Sequence, residues 1–446
     1  MAWQYGWQFF IYAVCLEVKM SNNFKIEGGH FVNDKGLVIK NKNLLIIDGK
    51  ILFTIPPTQK DNHITKINAR NKFILPGLVD MRCHIGSTAS ENIKMINLSA
   101  TKGGFTSLVA MPDFTTMADN PGAVRLIKDS VRKESNISIH ATGCITAQAE
   151  GERLAPLGSL KEAGIVAVTD CPRCPQNNEI FAKGIEYAKM FNLPVIDLPR
   201  EYTLSKDGAA HDGPVALKLG LKPFPRAAEE MFVQRAIILS KYINTPIHLS
   251  SISSRGSVDL IRIAKQNGVR ISADVTSHHL LLSEKSILGF DTNCKTSPPL
   301  RQEVDRISLI EALIDGTIDG ICSSHQPIPN HKKNIEFDLS PCGVLGLSTA
   351  LPVAHRALSK YCEEKQIMSL ITRTMTIAPS NILGLEKEFI EEGKKADLII
   401  YDPQKKWKYD PSHECTEIIN SPFDSCIMKG KVIKTFANGN LVYSSS

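Results

Sequence analysis

Little in this sequence favours one sign of charge. Its 52 Lys and Arg stand against 46 Asp and Glu, a net charge of +6 over 446 residues. The basic residues are spread along the chain, apart from short pairs such as Lys394-Lys395 and Lys405-Lys406. A solvated surface is the plain reading, and no nucleic-acid partner is expected. A disulfide frame is also missing. The eleven cysteines are odd in number and have no repeating spacing, which indicates reduced thiols and a cytoplasmic setting. Cys171 and Cys174 form a single CxxC, without the second pair that a four-cysteine zinc site needs. A targeting signal and a membrane span are lacking too. Residues 1–19 (MAWQYGWQFFIYAVCLEVK) are aromatic and apolar but broken by Gln4 and Gln8, with neither a basic start nor a small-residue cleavage site. They are too short to cross a bilayer. They read as an upstream extension ahead of a more natural start at Met20; a peripheral anchor is the alternative.

What is present is enough apolar sequence for a large core: 43% hydrophobic and 22% charged residues, the proportions of an ordinary globular protein. The two ends of the chain read alike. LVIKNKNLLIIDGKILFTI near the start and ADLIIYDP with IMKGKVIKTFANGNLVYS near the end are β-rich, with Asp48-Gly49 and Asn438-Gly439 as hairpin signals. Residues 20–70 and 385–446 are therefore expected to pair into one small β-sandwich. Between them, residues 71–384 alternate buried apolar runs with amphipathic stretches. The runs are FILPGLVDM, FTSLVAM, ISIHATG, GIVAVTD, LPVIDL, TPIHLSS, VRISADV and TIDGICSS; Asn177 to Phe191 and Arg226 to Ile243 are two of the helical stretches. Eight strands with interposed helices predict an α/β fold of the (β/α)8 TIM-barrel type, whose chemistry lies just past the carboxyl ends of the strands.

Those strand ends carry recognisable words. Leu75 to His84 resembles the LPGLVDxHxH signature of the amidohydrolase superfamily. GGFTSLVAMP (Gly103 to Pro112), LKEAGIVAVTD (Leu160 to Asp170), SADVTSHHLLL (Ser272 to Leu282), FDTNCKTSPPLR (Phe290 to Arg301) and LIEALIDGTID (Leu309 to Asp319) narrow the resemblance. They resemble dihydroorotases of the bacterial type associated with aspartate carbamoyltransferase, in fixed order over nearly all of the chain after Met20. The resemblance implies interconversion of carbamoyl aspartate and dihydroorotate in pyrimidine synthesis. It also implies one or two zinc ions that polarise the ring carbonyl and generate hydroxide. The implied ligands are a His-x-His pair, a bridging carboxylate, two further histidines and an aspartate.

Laid on those positions, this sequence keeps only part of the set. Arg82 stands for the first histidine of the pair, and His84 is the second. Asp170 keeps the bridging carboxylate. Leu198 and Ser251 replace the two later histidines, and Ser324 replaces the catalytic aspartate. Among the substrate-binding positions that the resemblance implies, the arginine is Gly86, the two asparagines are Asp113 and Ser297, and the closing histidine is Ile328. Loss of the charge-assisted arginine contact alone should cost about 1.5–3 kcal/mol of substrate binding. A permanent guanidinium at 82 repels a dication by several kcal/mol at an effective dielectric of about 20, and it cannot deprotonate to make room. Arg82 is accordingly expected to fill the metal cavity and pair with Asp170, with no metal bound and no catalysis.

Plainer roles compete for the remaining residues. His84 and Asp170 could be remnants held by core hydrogen bonds, and His278, His279 and His325 packing residues. Cys83, Cys171, Cys174 and Cys322 cluster near the mouth and could rebuild a thiolate–zinc site, although strand alternation is expected to turn Cys83 and Cys322 outward. Three functions follow. The first is a non-catalytic, oligomeric dihydroorotase-like subunit that supports aspartate carbamoyltransferase. The second is an enzyme with altered, metal-poor chemistry, and the third is an active zinc dihydroorotase.

Overall fold

The structure is a computed structural model that describes residues 23–33, 35–54, 64–86, 92–113, 116–386 and 389–445. The leader 1–19 and Met20 lie outside the described residues. All eight apolar runs form parallel strands: β1 (Leu78–Cys83), β2 (Phe105–Ala110), β3 (Ser138–Gly143), β4 (Ala167–Val168), β5 (Val195–Asp197), β6 (Ile247–Leu249), β7 (Ile271–Thr276) and β8 (Gly320–Cys322). They are neighbours in sequence order, as expected of a barrel. Closure between the two ends of the sheet comes from a parallel bridge of Cys83 with His325 and from the His84 amide donating to the His325 carbonyl at 2.8 Å.

The helices form where the apolar period is near 3.6. Residues 178–190 bury Phe181, Gly184, Ile185 and Ala188, spaced three and four apart, against the barrel wall. The Asn177 side chain caps that helix by accepting the amides of Glu179 and Ile180. The stretch expected to be helical from Arg226 is a helix over 227–243. No helix among the described residues is long and apolar enough to cross a membrane.

The chain ends pair into one mostly antiparallel sheet of eight strands, in which Phe73–Pro76 lies against Leu398–Lys408. Ile26, Leu44, Ile46, Ile74, Leu398, Ile400 and Phe436 form its core, separate from that of the barrel. Both hairpin turns occur where expected, with positive φ at Asp48, Gly49, Asn438 and Gly439. FILPGLVDM divides at Gly77: its first half belongs to the end sheet and its second half begins the barrel, so the sheet extends past residue 70. Gly77 is the hinge because there is no room for anything larger. A Cβ there would meet Thr106 Oγ1 at 2.1 Å and Asp397 Oδ1 at 2.2 Å. Gly77→Ala is expected to destabilise the protein by about 1–3 kcal/mol, read as a lower urea midpoint with an unchanged slope.

Candidate functional site

The carboxyl ends of β1, β2, β4, β6, β7 and β8 bring Arg82, His84, Asp113, Cys171, Ser251, Asp274 and Cys322 to one mouth. Arg82 is 2% exposed. Its Nη1 donates to Ser251 Oγ, and its Nε has no partner among the described residues. Burial opposes its charge, but Cys171, Cys322 and Asp274 more than offset this, and the guanidinium stays cationic.

Asp274 is the carboxylate that organises this cluster. It accepts from the Ser251 amide at 2.6 Å and from Ser250 Oγ at 3.2 Å, and it lies 3.0 Å from His248 Nε2 and 3.3 Å from Cys322 Sγ. Burial pushes its pKa upward, yet the hydrogen bond and charge of His248, the Ser251 amide and Arg82 hold it below the usual carboxylate range.

Two expectations are corrected here. Arg82 does not take Asp170 as its partner. Asp170 is occupied by Thr146 Oγ1 at 2.5 Å and by the amides of Ile145 and Thr146 at 2.8 and 3.0 Å. Burial, its largest influence, raises its pKa to about 6. Cys322 does not turn outward either: it faces Asp274 and Ser251 inside the barrel, whereas Cys83 packs in the outer core. Strand alternation misleads at the end of β8 because Cys322 is its last residue and the chain bends at once, with Ser324 at positive φ.

His84 is fully buried. Its Nδ1 lies 2.7 Å from Asp113 Oδ2, and its Nε2 lies 3.9 Å from Cys171 Sγ. Burial works against the charged ring, but Asp113 and Cys171 prevail and raise the pKa to about 9. Asp113, at a position where the resemblance implies a substrate-binding asparagine, is therefore the counter-ion of His84. Leu198 packs with Met81, Met111, Ile196 and Cys171 in an apolar cluster. Gly86 has a φ of 61° just past β1. Ser297 accepts from Arg200 Nη1 at 3.3 Å, and Ile328 is buried with its amide on Asn420. Of the cysteines near the mouth, Cys174 is tied to Asp197 at 3.3 Å and to Arg235 at 3.3 Å.

A family model described as "Dihydro-orotase-like" matches residues 71–257, and one described as "Amidohydrolase family" matches residues 228–442. A protein of Acetivibrio thermocellus named dihydroorotase is 36% identical over 423 residues, covering 94% of this chain and 98% of that protein. The dihydroorotase of Pelotomaculum thermopropionicum is 35% identical, with coverage of 94% and 97%. The chain belongs to the dihydroorotase-like amidohydrolases. Among solved structures, the L-hydantoinase (dihydropyrimidinase) of Arthrobacter aurescens shares the fold at a TM-score of 0.80 and 20% identity, covering 94% of this chain and 96% of its own. Dihydropyrimidinase from Brevibacillus agri NCHU1002 does so at 0.79 and 19%, with 95% of each chain covered.

These findings overturn the expectation that the chain is not an enzyme. Relatives matched over 94% of this chain carry an enzyme's name, and the structural neighbours are named as hydantoinases or dihydropyrimidinases, so the comparisons point to an enzyme.

The zinc that the family implies does not fit the residues present. One chelator position holds a cation, Arg82, and another holds the apolar Leu198. The Asp170 oxygens are already bonded to Ile145 and Thr146. No set of three His, Cys, Asp or Glu side chains suited to a metal occurs among the described residues.

His278 and His279 sit on the short helix after β7. His279 is bracketed by Thr276 Oγ1 at 2.7 Å and the Pro299 carbonyl at 3.2 Å. Burial lowers its pKa to about 4 and that of His278 well below the ordinary value, with Arg82 adding repulsion to both. Groups held neutral in this way favour the unfolded, proton-binding chain as pH falls. Stability is therefore full above about pH 6.5 and declines toward pH 4, by on the order of 3 kcal/mol from His279 alone. Urea midpoints between pH 7 and 4 check this; a flat profile for the native chain that matches His279→Gln would count against it.

Proposed function

We propose that this chain opens or closes a six-membered cyclic amide, interconverting dihydroorotate and carbamoyl aspartate in pyrimidine biosynthesis. One observation carries the reading: 33–36% identity to proteins named dihydroorotase runs through 94% or more of the chain and nearly the whole of each relative. The mouth adds chemical support. Arg82 and the protonated ring of His84 place positive charge where a carbonyl oxygen gains negative charge during attack. Arg200, part-exposed and reaching Ser297, is a cation for the substrate carboxylate that Gly86 no longer serves. No step is assigned to a metal. Chelator-treated protein is expected to hydrolyse dihydroorotate at alkaline pH or to cyclise carbamoyl aspartate at acid pH. Absence of turnover in both directions, with and without added zinc, overturns the proposal.

A partner belongs to the same reading. We infer association with aspartate carbamoyltransferase in an oligomeric assembly. The support is a contrast: strands such as β4 and β7 keep their apolar cores, while four of six chelator positions have changed. Copurification is expected, with a loss of carbamoyltransferase activity when this chain is withdrawn. A carbamoyltransferase that is fully active alone would end the inference.

A further inference from the structure

Three side chains at the mouth stand in an order that a metal site would not require. Cys171 Sγ is 3.9 Å from His84 Nε2, and the opposite ring nitrogen, Nδ1, is 2.7 Å from Asp113 Oδ2. We propose that Cys171, His84 and Asp113 form a nucleophilic triad that opens the cyclic amide through a thioester on Cys171. This rests on the cyclic-amide reading above and gives it a metal-free route.

The arrangement meets the geometric requirements of such a triad. A nucleophile lies within reach of an imidazole, and a carboxylate on the far nitrogen fixes the tautomer and orientation of the ring. A sulfur-to-nitrogen distance of 3.9 Å is the looser contact expected before substrate binds. Each member comes from a different strand end: His84 from β1, Asp113 from the turn after β2, and Cys171 from the turn after β4. This is how barrels of this kind assemble sites. Asp113 is the member nearest solvent, with its side chain 13% exposed.

The surroundings favour an acyl-transfer site over a packing cluster. Arg82 is buried at the same mouth, and its Nε has no acceptor among the described residues. A guanidinium with a spare donor beside a nucleophile suits the oxyanion of a tetrahedral intermediate. The other thiols near the mouth are engaged elsewhere, Cys174 with Asp197 and Arg235, and Cys322 with Asp274. Asp170, the residue before Cys171, is held by the loop after β3, which anchors the turn that carries the sulfur.

The chemistry balances with water as the only co-reactant. Cys171 reacts as the thiolate paired with the protonated ring of His84, and its sulfur bonds to the acyl carbon of the ring amide. The carbon–nitrogen bond breaks, and the departing nitrogen takes the proton from His84. Water then attacks the thioester and gives a proton to His84. The carbon–sulfur bond breaks and the carboxylic acid leaves, restoring the Cys171 thiolate beside the protonated ring of His84. Arg82 donates to the carbonyl oxygen in both tetrahedral stages.

The test uses the full chain dialysed against chelator, with dihydroorotate as substrate and iodoacetamide as a second probe. Cys171→Ala and the near-isosteric Cys171→Ser are each expected to lose at least about 10³-fold in kcat/KM. Asp113→Asn should lose about 10²–10⁴-fold, mainly in kcat, because the ring is then held in the wrong tautomer. Cys362→Ala, remote from the mouth, should keep the native rate. Rapid quenching followed by mass spectrometry should find the acyl adduct on the peptide that carries Cys171. Turnover that survives in both folded Cys171 variants overturns the triad and leaves the cyclic-amide reading intact. A chain that does not turn over dihydroorotate, yet alkylates first at Cys171 in a reaction slowed more than about 10-fold by Asp113→Asn, supports the triad and overturns that substrate. A chain with neither turnover nor selective alkylation overturns both.

Discussion

A chain carrying Arg82→His, Leu198→His, Ser251→His and Ser324→Asp together is expected to bind zinc stoichiometrically, where the native chain takes up none. The argument is electrostatic. A guanidinium about 4 Å from a doubly charged ion costs about 8 kcal/mol at an effective dielectric of about 20, or nearly six orders of magnitude in affinity. Arg82 is held in place by Ser251 and by the charge of Asp274, and burial does not remove its proton. Arg82→His removes the repulsion and supplies an imidazole. Leu198→His and Ser251→His add two more, and Ser324→Asp adds a carboxylate, so that with His84 the donor set is one that zinc accepts. Metal analysis after gel filtration measures the outcome. Arg82→His alone should gain less than the fourfold variant, because Leu198 leaves an apolar wall on one side. One zinc per native chain, retained through chelation and lost in His84→Ala, would show that the guanidinium does not exclude the ion.

Arg301→Ala is expected to destabilise the protein by about 3–5 kcal/mol. Arg301 is 2% exposed at the end of the SPPLR segment. Its Nε donates to Ser253 Oγ at 3.0 Å, Nη1 donates to the Phe224 carbonyl at 2.8 Å, and Nη2 lies 3.5 Å from Glu229 Oε2. Glu229, itself buried, also accepts the amides of Ser253 and Ser254 at 3.0 Å each. The cation therefore ties the loop after β6 to the helix over 227–243 and to the segment before β8. Removing it leaves a buried carboxylate without its balancing charge and the Phe224 carbonyl without a donor. Chemical denaturation of Arg301→Ala measures the loss. Arg301→Lys should recover only part of it, since an ammonium cannot reach three separate acceptors in the guanidinium geometry. A shift below about 1 kcal/mol would mean that water replaces the guanidinium.

Strand order, the helices between the strands and the two hairpin turns were all legible in residue order, because each depends on neighbours a few positions apart. The runs from FTSLVAM to TIDGICSS became barrel strands for that reason, and Asp48-Gly49 and Asn438-Gly439 became turns. The division of FILPGLVDM at Gly77 was not legible, since it depends on Thr106 and Asp397 crowding one Cα from distant parts of the chain.

The mouth divides in the same way. Its inventory could be read from the sequence: Arg82, His84, Asp113, Asp170, Cys171, Ser251 and Cys322 all lie at or just past the ends of apolar strands. Their partners could not. Arg82 faces Asp274 and Ser251, at sequence separations of more than 160 residues, and Asp170 turns away to Thr146. His84 meets Asp113 on one nitrogen and Cys171 on the other. Apolar periodicity is a local property, so the chain carries it openly. Which charges face one another depends on how eight strands tilt and close, and only the assembled barrel brings those side chains within a few ångströms.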